Sequence, residues 1–339
     1  MRECGMLLPV ASLPSRYGIG AFSKEAYDFI DTLKAAGQSC WQILPLGPTG
    51  FGDSPYQSFS AFAGNPYFID LEKLTEEGLL TREECLDTDF GSDERDIDYK
   101  KIYDGRFPLL RKAYERWKEG RTPELVHELA GRKLGDETRE YCFYMAVKNH
   151  FDSCSWNLWD EGIRLRKPEA LEAYRAMLTD EIGFYEFQQI KFEEQWNALK
   201  GYAHEQGIRI IGDIPIYVAF DSADSWSRPE LFQFDENNMP GAVAGCPPDG
   251  FSATGQLWGN PLYNWEYHRK TGFAWWMRRM EYCFRMYDLV RVDTSGDLMS
   301  ITPYPTAMPR LSTAVGKRGR VSKYSGRCRS ISAGTSCLS

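Results

Sequence analysis

Residues 208–216 read IRIIGDIPI, an apolar run that holds one acidic residue, Asp213, near its end. A short run of this kind, rich in isoleucine and ending at proline, is typical of a buried parallel strand. Three further runs have the same character: GMLLPV (5–10), CWQILPL (40–46) and LVRVD (289–293). Because a helical pattern precedes or follows each run, the chain is predicted to alternate strands and helices.

Helical periodicity fills the segments between these runs. Residues 25–36 repeat apolar side chains at helical spacing and stop before Gly37, a common residue at a helix C-terminus. Residues 53–203 form a long insertion of mainly helical pattern, too long for a simple loop. This order predicts an α/β fold, a (β/α)8 TIM barrel with helical insertion subdomains, in which the four runs are about the first four barrel strands. A doubly wound sheet is the alternative, and periodicity alone does not separate the two.

A helix is also predicted directly before the fourth run. Its apolar side chains recur at helical spacing, and we expect them to form its core face. They are Phe273, Trp276, Met277, Met280, Phe284 and Tyr287.

Composition narrows the possible ligands. The formal net charge is −8 over 339 residues, which disfavours a nucleic acid partner and fits a neutral substrate. The nine cysteines contain no Cys-x-x-Cys pair and their number is odd, which argues against disulfides and structural zinc. The four histidines show no ligand spacing, so we expect no catalytic metal. They are His127, His150, His204 and His268.

The predicted localisation is cytoplasmic. No apolar stretch approaches the roughly 18 residues that span a bilayer, so no membrane association is expected. The first residues, MRECGMLLPV, carry Glu3 and reach a proline early, and they resemble an opening strand more than an export signal. The oligomeric state is not predicted.

Three loops after the predicted strands carry polar side chains among rings and turn-forming residues. In barrels of this kind the catalytic groups lie at the C-terminal ends of strands. The loop GPTGFGDSPYQSFSAFAGNPYFID (47–70) carries Ser54 and Tyr56, and GCPPDGFSATGQLWGNPLYNW (245–265) carries Asp249, Gln256 and Trp258. Such a mixture suits a sugar, although large aromatic residues also fill cores.

Two of the strands themselves end in charged residues. Burying the Asp213 carboxylate without a partner would be costly, so we expect a substrate or a neighbouring arginine beside it. Arg291 and Asp293 are two residues apart and therefore on one side of a strand. An arginine beside a carboxylate keeps it ionised, as a nucleophile at an anomeric carbon requires, and a structural ion pair would give the same pattern.

The motifs GDSPYQSFSAFAGNPYFID, GDIPIYVAFDSADSW, PPDGFSATGQLWGNPLYNW and LVRVD follow one another as in one enzyme family. Over residues 5–293 the sequence resembles the amylomaltases, the 4-α-glucanotransferases of glycoside hydrolase family 77 type. The resemblance implies a (β/α)8 barrel that transfers α-1,4-glucan segments between maltodextrins without a cofactor. It implies Asp293 as the catalytic nucleophile and the following substrate-binding residues: Arg291 and Asp213 in the cleaving subsite, and Tyr56, Asp249, Gln256 and Trp258 along the groove. Ser54 is a further candidate on the Tyr56 loop.

The resemblance also implies a retaining double displacement, in which a second carboxylic acid protonates the leaving oxygen and then activates the acceptor. Here, however, Asp293 is followed by Thr-Ser-Gly-Asp-Leu, where the family has His-Phe-Arg-Gly. One base lost after the Asp293 codon turns the family reading into the printed one. Residues 294–339 are therefore predicted to be an out-of-frame or disordered basic tail, and the chain as written is predicted to be inactive. A non-catalytic glucan-binding relative and an α-amylase-type hydrolase are the alternatives.

Overall fold

A computed structural model describes residues 3–50, 52–93, 95–246, 248 and 252–292, with short strands at 300–301, 304–305 and 317–318. Packing divides the chain into two compact units. The first comprises residues 1–48, 62–147 and 174–212, and the second comprises residues 49–61, 148–173 and 213–339. Two predicted site residues, Asp249 and Asp293, lie outside the described residues, as does most of the predicted tail, so its boundary stays a prediction.

Three parallel strands form the sheet of the first unit. Strands β1 (Gly5–Leu7) and β2 (Cys40–Gln42) are neighbours with Gly5 opposite Cys40, and β3 (Arg209–Ile214) lies beyond β2 with Arg209 opposite Cys40. Helix α1 (Lys24–Ala35) connects the first two strands. Parallel neighbours need such a crossover, and the predicted strand-helix alternation is confirmed here.

Helices occupy most of the segment between β2 and β3. Among them, α5 and α9 bury Ala130 and Leu134 against Ile190. The helices are α2 (Leu71–Glu76), α3 (Arg82–Leu86), α4 (Tyr99–Lys118), α5 (Pro123–Lys133), α6 (Asp136–His150), α7 (Glu161–Arg164), α8 (Pro168–Met177) and α9 (Thr179–Glu205).

Two glutamines of α9 hold the chain that enters α2, and we call this pair the glutamine brace. The Gln189 amide accepts from Gly64 N–H at 2.8 Å and donates to Gly64 O at 2.9 Å. In the same way, Gln195 accepts from Asp70 N–H at 2.6 Å and donates to Asp70 O at 3.2 Å. These buried backbone groups therefore pair with side chains where a strand would pair with a neighbouring strand.

The second unit contains a hairpin and the last predicted strand. Asp213 and Ile214, the end of β3, belong to this unit, in which β6 is the hydrogen-bonded neighbour of β3. The predicted 245–265 loop contains much of an antiparallel pair, β4 and β5. The elements are α10 (Ala223–Ser227), β4 (Ala242–Cys246), β5 (Gln256–Pro261), α11 (Trp265–Lys270), α12 (Ala274–Met286), β6 (Leu289–Val292), β7 (Ser300–Ile301), β8 (Tyr304–Pro305) and β9 (Lys317–Arg318).

Helix α12 is confirmed, but its predicted core face is wrong. Within the helix the buried residues are Trp275, Arg279, Cys283 and Met286. The predicted Phe273, Trp276, Met277, Met280 and Phe284 are only half-buried, while Tyr287, just past the helix, is buried. The reason is that Arg279 turns inward to donate hydrogen bonds to the backbone carbonyls of Pro215 and Ile216, which sets the rotation of the helix.

The buried His268 makes stability depend on pH. Its Nε2 lies 3.2 Å from Leu231 O, and its Nδ1 is buried with no hydrogen-bond partner in the described part of the chain. Burial lowers the pKa of His268 from the ordinary 6.5 to about 4. Between these two pKa values the unfolded chain binds more protons than the folded chain. The contribution of neutral His268 to the free energy of unfolding is therefore complete above pH 6.5 and is lost as the pH falls toward 4.

We therefore expect unfolding by urea to show a loss of about 2 kcal/mol between pH 7 and pH 5 that His268→Gln removes. His204→Gln, an exposed change on α9, is the control and should keep the wild-type pH dependence. Identical pH profiles for wild type and His268→Gln would contradict this assignment.

Candidate active site

The Asp213 carboxylate is the centre of the site that the structure describes. Its side chain is 1% exposed, and Arg291 Nη1 donates to its Oδ1 at 2.8 Å. The Tyr56 hydroxyl donates to its Oδ2 at 2.7 Å. Each carboxylate oxygen therefore has a donor, as a buried charge requires. The expected partner of Asp213 is confirmed to be an arginine, joined by a tyrosine that the sequence did not indicate as a partner.

The arginine of this cluster reaches the surface. Arg291 stands on β6, the neighbour of the strand β3 that carries Asp213, and its side chain is 45% exposed. Water screens the exposed arginine, so its attraction to the buried carboxylate is weaker than in a pair shielded from water. The relation of Arg291 to Asp293 lies outside the described residues.

The loop that carries Tyr56 is folded back on itself. Gly50 N–H donates to Gln57 O at 3.0 Å, and Gln57 N–H donates to Ser54 O at 3.0 Å. Ser54 Oγ accepts the Tyr56 N–H at 3.4 Å. The structure therefore gives Ser54 a role inside the turn, where it orients the backbone of Tyr56.

A buried helix end holds the far side of this loop. Asp224 in α10 accepts the Ala61 N–H at 2.8 Å, and Ala223 N–H donates to Phe59 O at 2.8 Å. Burial raises the pKa of Asp224, and the Ala61 N–H acts against that rise. Lys148 adds a buried cation 5.2 Å from the Phe59 ring and 2.6 Å from the Asp221 carboxylate. The loop is thus fixed behind Tyr56 by buried polar contacts.

The predicted groove residues Gln256 and Trp258 lie together. Trp258 Nε1 donates to Gln256 Oε1 at 3.0 Å, and the Trp258 ring centroid is 6.2 Å from that of Tyr217. Gln256 is exposed and Trp258 half-buried. A partly exposed indole beside an exposed amide combines an apolar surface with hydrogen-bonding groups, which is the chemistry that a sugar ring presents.

Two unpredicted side chains join this pair to the Tyr56 loop. Gln57 Nε2 donates to Trp258 O at 3.2 Å and to Asn260 Oδ1 at 3.1 Å. The buried Asn260 donates in turn to Val218 O at 2.8 Å. Both are amide residues within the quoted motifs, and this is the signal by which the sequence could have identified them.

Metal-ligating side chains do not cluster in the described residues. Among them, no group of three or more His, Cys, Asp or Glu side chains is placed to hold a metal ion. Seven cysteines are described, and no disulfide joins them to one another: Cys4, Cys40, Cys85, Cys142, Cys154, Cys246 and Cys283.

Within the same residues, no helix has both the length and the apolar character needed to cross a membrane.

Of the predicted site residues, the structure brings Tyr56, Asp213 and Arg291 into direct contact and places Gln256 against Trp258. Ser54 supports Tyr56, and Asp249 and Asp293 are not described. The result is a buried carboxylate contacted by a guanidinium and a phenol, with an indole and an amide joined to the same loop through Gln57. Such groups can bind hydroxyls and stack on a sugar ring.

Comparison with known proteins points to one family. A family model described as 4-alpha-glucanotransferase matches residues 8–301. The 4-alpha-glucanotransferase of Streptococcus pneumoniae is 49% identical over 293 residues, which are 86% of this chain and 58% of that protein. That of Thermus thermophilus is 44% identical over 310 residues, which are 91% and 61% of the two chains. The chain thus spans about three fifths of the length of these curated relatives.

Solved structures agree. The amylomaltase of Streptococcus agalactiae, solved in complex with acarbose, superposes with a TM-score of 0.89 at 40% identity, covering 94% of this chain and 64% of that one. The amylomaltase of Corynebacterium glutamicum has a TM-score of 0.70 at 20% identity, covering 93% and 44%, which shows likeness of fold alone. The predicted fold class, a (β/α)8 barrel with helical insertions, is confirmed by these likenesses.

Proposed function

Because this chain belongs to the 4-alpha-glucanotransferase family, we propose that it carries the glucan-binding groups for transfer of α-1,4-glucan segments between maltodextrins. The observation that carries the proposal is the Asp213 carboxylate, buried and oriented by Arg291 and Tyr56. The buried carboxylate fixes the Tyr56 hydroxyl and the half-exposed Arg291 guanidinium, so that these groups can meet sugar hydroxyls with little reorganisation on binding. Gln256 and Trp258 extend the same surface along a glucan chain.

The chemistry proposed is a retaining double displacement. Asp293, the residue after Val292 in the sequence, attacks the anomeric carbon and forms a glucosyl ester while the glycosidic C–O bond breaks. The hydroxyl of an acceptor sugar then attacks the same anomeric carbon, and the bond between that carbon and the Asp293 oxygen breaks, which restores the carboxylate. Both steps need a carboxylic acid that gives and later takes a proton, and no residue of this chain is assigned to that role. We therefore propose that the chain as written binds glucans and turns them over poorly.

The cytoplasmic localisation stays a prediction. It is supported by Cys4 and Cys154, which carry exposed thiols, since thiols persist in reducing compartments.

Glucan binding by the chain as written tests the proposal. We expect maltoheptaose to bind the wild type in calorimetry, and we expect Asp213→Ala to weaken binding roughly 30- to 150-fold, since it removes about 2–3 kcal/mol of charged hydrogen bonds. Tyr56→Phe should cost less, roughly 5- to 10-fold, because the carboxylate remains. Circular dichroism would show that each variant is folded.

Glu281→Ala serves as the matched control, since it removes an exposed carboxylate on α12 and should leave affinity unchanged. Absence of maltoheptaose binding by the folded wild type would overturn the proposed function. Equal affinity of wild type and Asp213→Ala would overturn the role given to the buried carboxylate.

A further inference from the structure

Arg279 on α12 is a buried cation that donates hydrogen bonds to two main-chain carbonyls and to one tyrosine hydroxyl. Its side chain is buried, and within the described residues it donates to Pro215 O at 2.6 Å, to Ile216 O at 3.1 Å and to Tyr263 Oη at 3.4 Å. The two carbonyls belong to the residues that directly follow β3, two and three positions after Asp213. Arg279 therefore contacts the backbone that leaves the strand on which Asp213 stands.

Tyr263 contacts the same backbone from a second side. It is buried, and its hydroxyl donates to Ile216 O at 2.9 Å. We call Arg279 and Tyr263 together the carbonyl clamp. Two donors on one carbonyl and a third bond to its neighbour leave this short segment little freedom to rotate.

The clamp also reaches the other half of the site through aromatic contacts. The Tyr263 ring stacks on Tyr217 with centroids 6.1 Å apart and an angle of 11°, and Tyr217 contacts Trp258 at 6.2 Å. The Arg279 guanidinium lies 5.3 Å and 5.2 Å from the Trp275 and Trp276 rings, which supply part of its stabilisation. One buried pair thus supports the strand of Asp213 and the ring of Trp258.

Core packing alone does not account for an arginine here. Burial of a guanidinium is costly, and Arg279 Nε is buried without a hydrogen-bond partner in the described part of the chain. An apolar residue of similar volume commonly gives equal or better stability at such a position. The charge is explained by what it orients: the two carbonyls after β3 and, at longer range, the Asp224 carboxylate that holds the Tyr56 loop.

We propose that Arg279 is a positioning residue which, with Tyr263, fixes the segment after β3 so that Asp213 and Trp258 are held in their glucan-binding arrangement. This inference rests on the proposed function for its effect on affinity. Its structural part, the immobilisation of residues 214–219, does not depend on the proposed function. Arg279 acts through the backbone that it holds and not through contact with the reacting atoms.

The test uses Arg279→Met, Arg279→Lys and Tyr263→Phe, with Arg285→Met as the control, because Arg285 is an exposed arginine on the same helix. Two readouts are taken from each folded protein: the dissociation constant for maltoheptaose and amide hydrogen exchange. Arg279→Met is expected to weaken binding about 10-fold and to speed exchange in residues 214–219 about 10-fold, with α11 unchanged. Arg279→Lys should recover part of both effects, since an ammonium can reach one carbonyl.

Tyr263→Phe should change both readouts in the same direction by a few-fold, and it decides the question if Arg279→Met does not fold. Unchanged exchange in residues 214–219, or exchange that rises equally throughout the chain, would overturn the positioning role. If the wild type binds no maltoheptaose, the proposed function fails, while local exchange in the variants still supports or overturns the clamp. Weaker binding of maltoheptaose by Arg285→Met would also overturn the positioning role of Arg279.

Discussion

Incubation of this chain with maltotriosyl α-fluoride is expected to leave a maltotriosyl ester on Asp293. Fluoride departs without a proton from the protein, so the C1–F bond breaks as the Asp293 oxygen forms the new C1–O bond, even with no general acid. Release of the ester requires a base that activates water or an acceptor sugar. Because no residue of this chain is assigned to that role, the ester should accumulate and be visible as added mass on the peptide that contains Asp293.

Asp293→Asn is expected to slow this labelling by at least about 10⁴-fold, the order of effect seen when a nucleophile is removed. Glu281→Ala should label like the wild type and is the control. The experiment separates nucleophile from acid/base chemistry, which a turnover assay of this chain cannot do. Labelling of Asp293→Asn at the wild-type rate, or a label on a different carboxylate, would show that the nucleophile is misassigned.

Gly64→Ala is expected to destabilise the fold by about 3 kcal/mol or more, the upper range for overpacking a core. A Cβ at this position would lie 2.2 Å from two ring carbons of Phe192, whose side chain is completely buried against Phe22. The backbone of Gly64 cannot retreat without losing both hydrogen bonds to Gln189. Urea unfolding monitored by tryptophan fluorescence measures the change.

Gly201→Ala is the matched control, because Gly201 lies in α9 with nothing within 4 Å of an added Cβ. It should stabilise the chain by about 0.5–1 kcal/mol, since glycine is unfavourable inside a helix. A Gly64→Ala protein as stable as the wild type would mean that the Phe192 ring can move aside.

Local pattern was enough to locate the strands β1, β2, β3 and β6 and the helices α1 and α12. The runs at 40–46 and 208–216 contain β2 and β3, because uninterrupted apolar stretches of that length bury well only between neighbouring elements. The observed strands are shorter, since proline has no N–H for a sheet. The 245–265 segment was interpreted as a loop from its glycines and prolines, yet much of it pairs as β4 and β5, because pairing depends on partners that composition does not reveal.

The site was likewise predicted only in part, because some of its contacts depend on partners that are distant in the sequence. The cost of a buried carboxylate predicted a partner for Asp213, and Arg291 is that partner. The hydroxyl of Tyr56 comes from 157 residues away in the sequence, a distance over which no periodicity carries information. The prediction of the buried face of α12 is wrong because it rests on hydrophobicity alone. In the structure an arginine that donates to carbonyls lies on the buried side.

The glutamine brace has a consequence for how this protein can change over evolution. Gly64 and Asp70 are six residues apart, as are Gln189 and Gln195, and six helical residues advance only about 9 Å. The short turn at Pro66–Phe68 compacts the loop enough to match that distance. The side chains between Gly64 and Asp70 can vary within the space available. The number of residues between these two positions cannot vary. An insertion or deletion between Gly64 and Asp70 would detach one end, so homologous chains that keep both glutamines should keep this spacing.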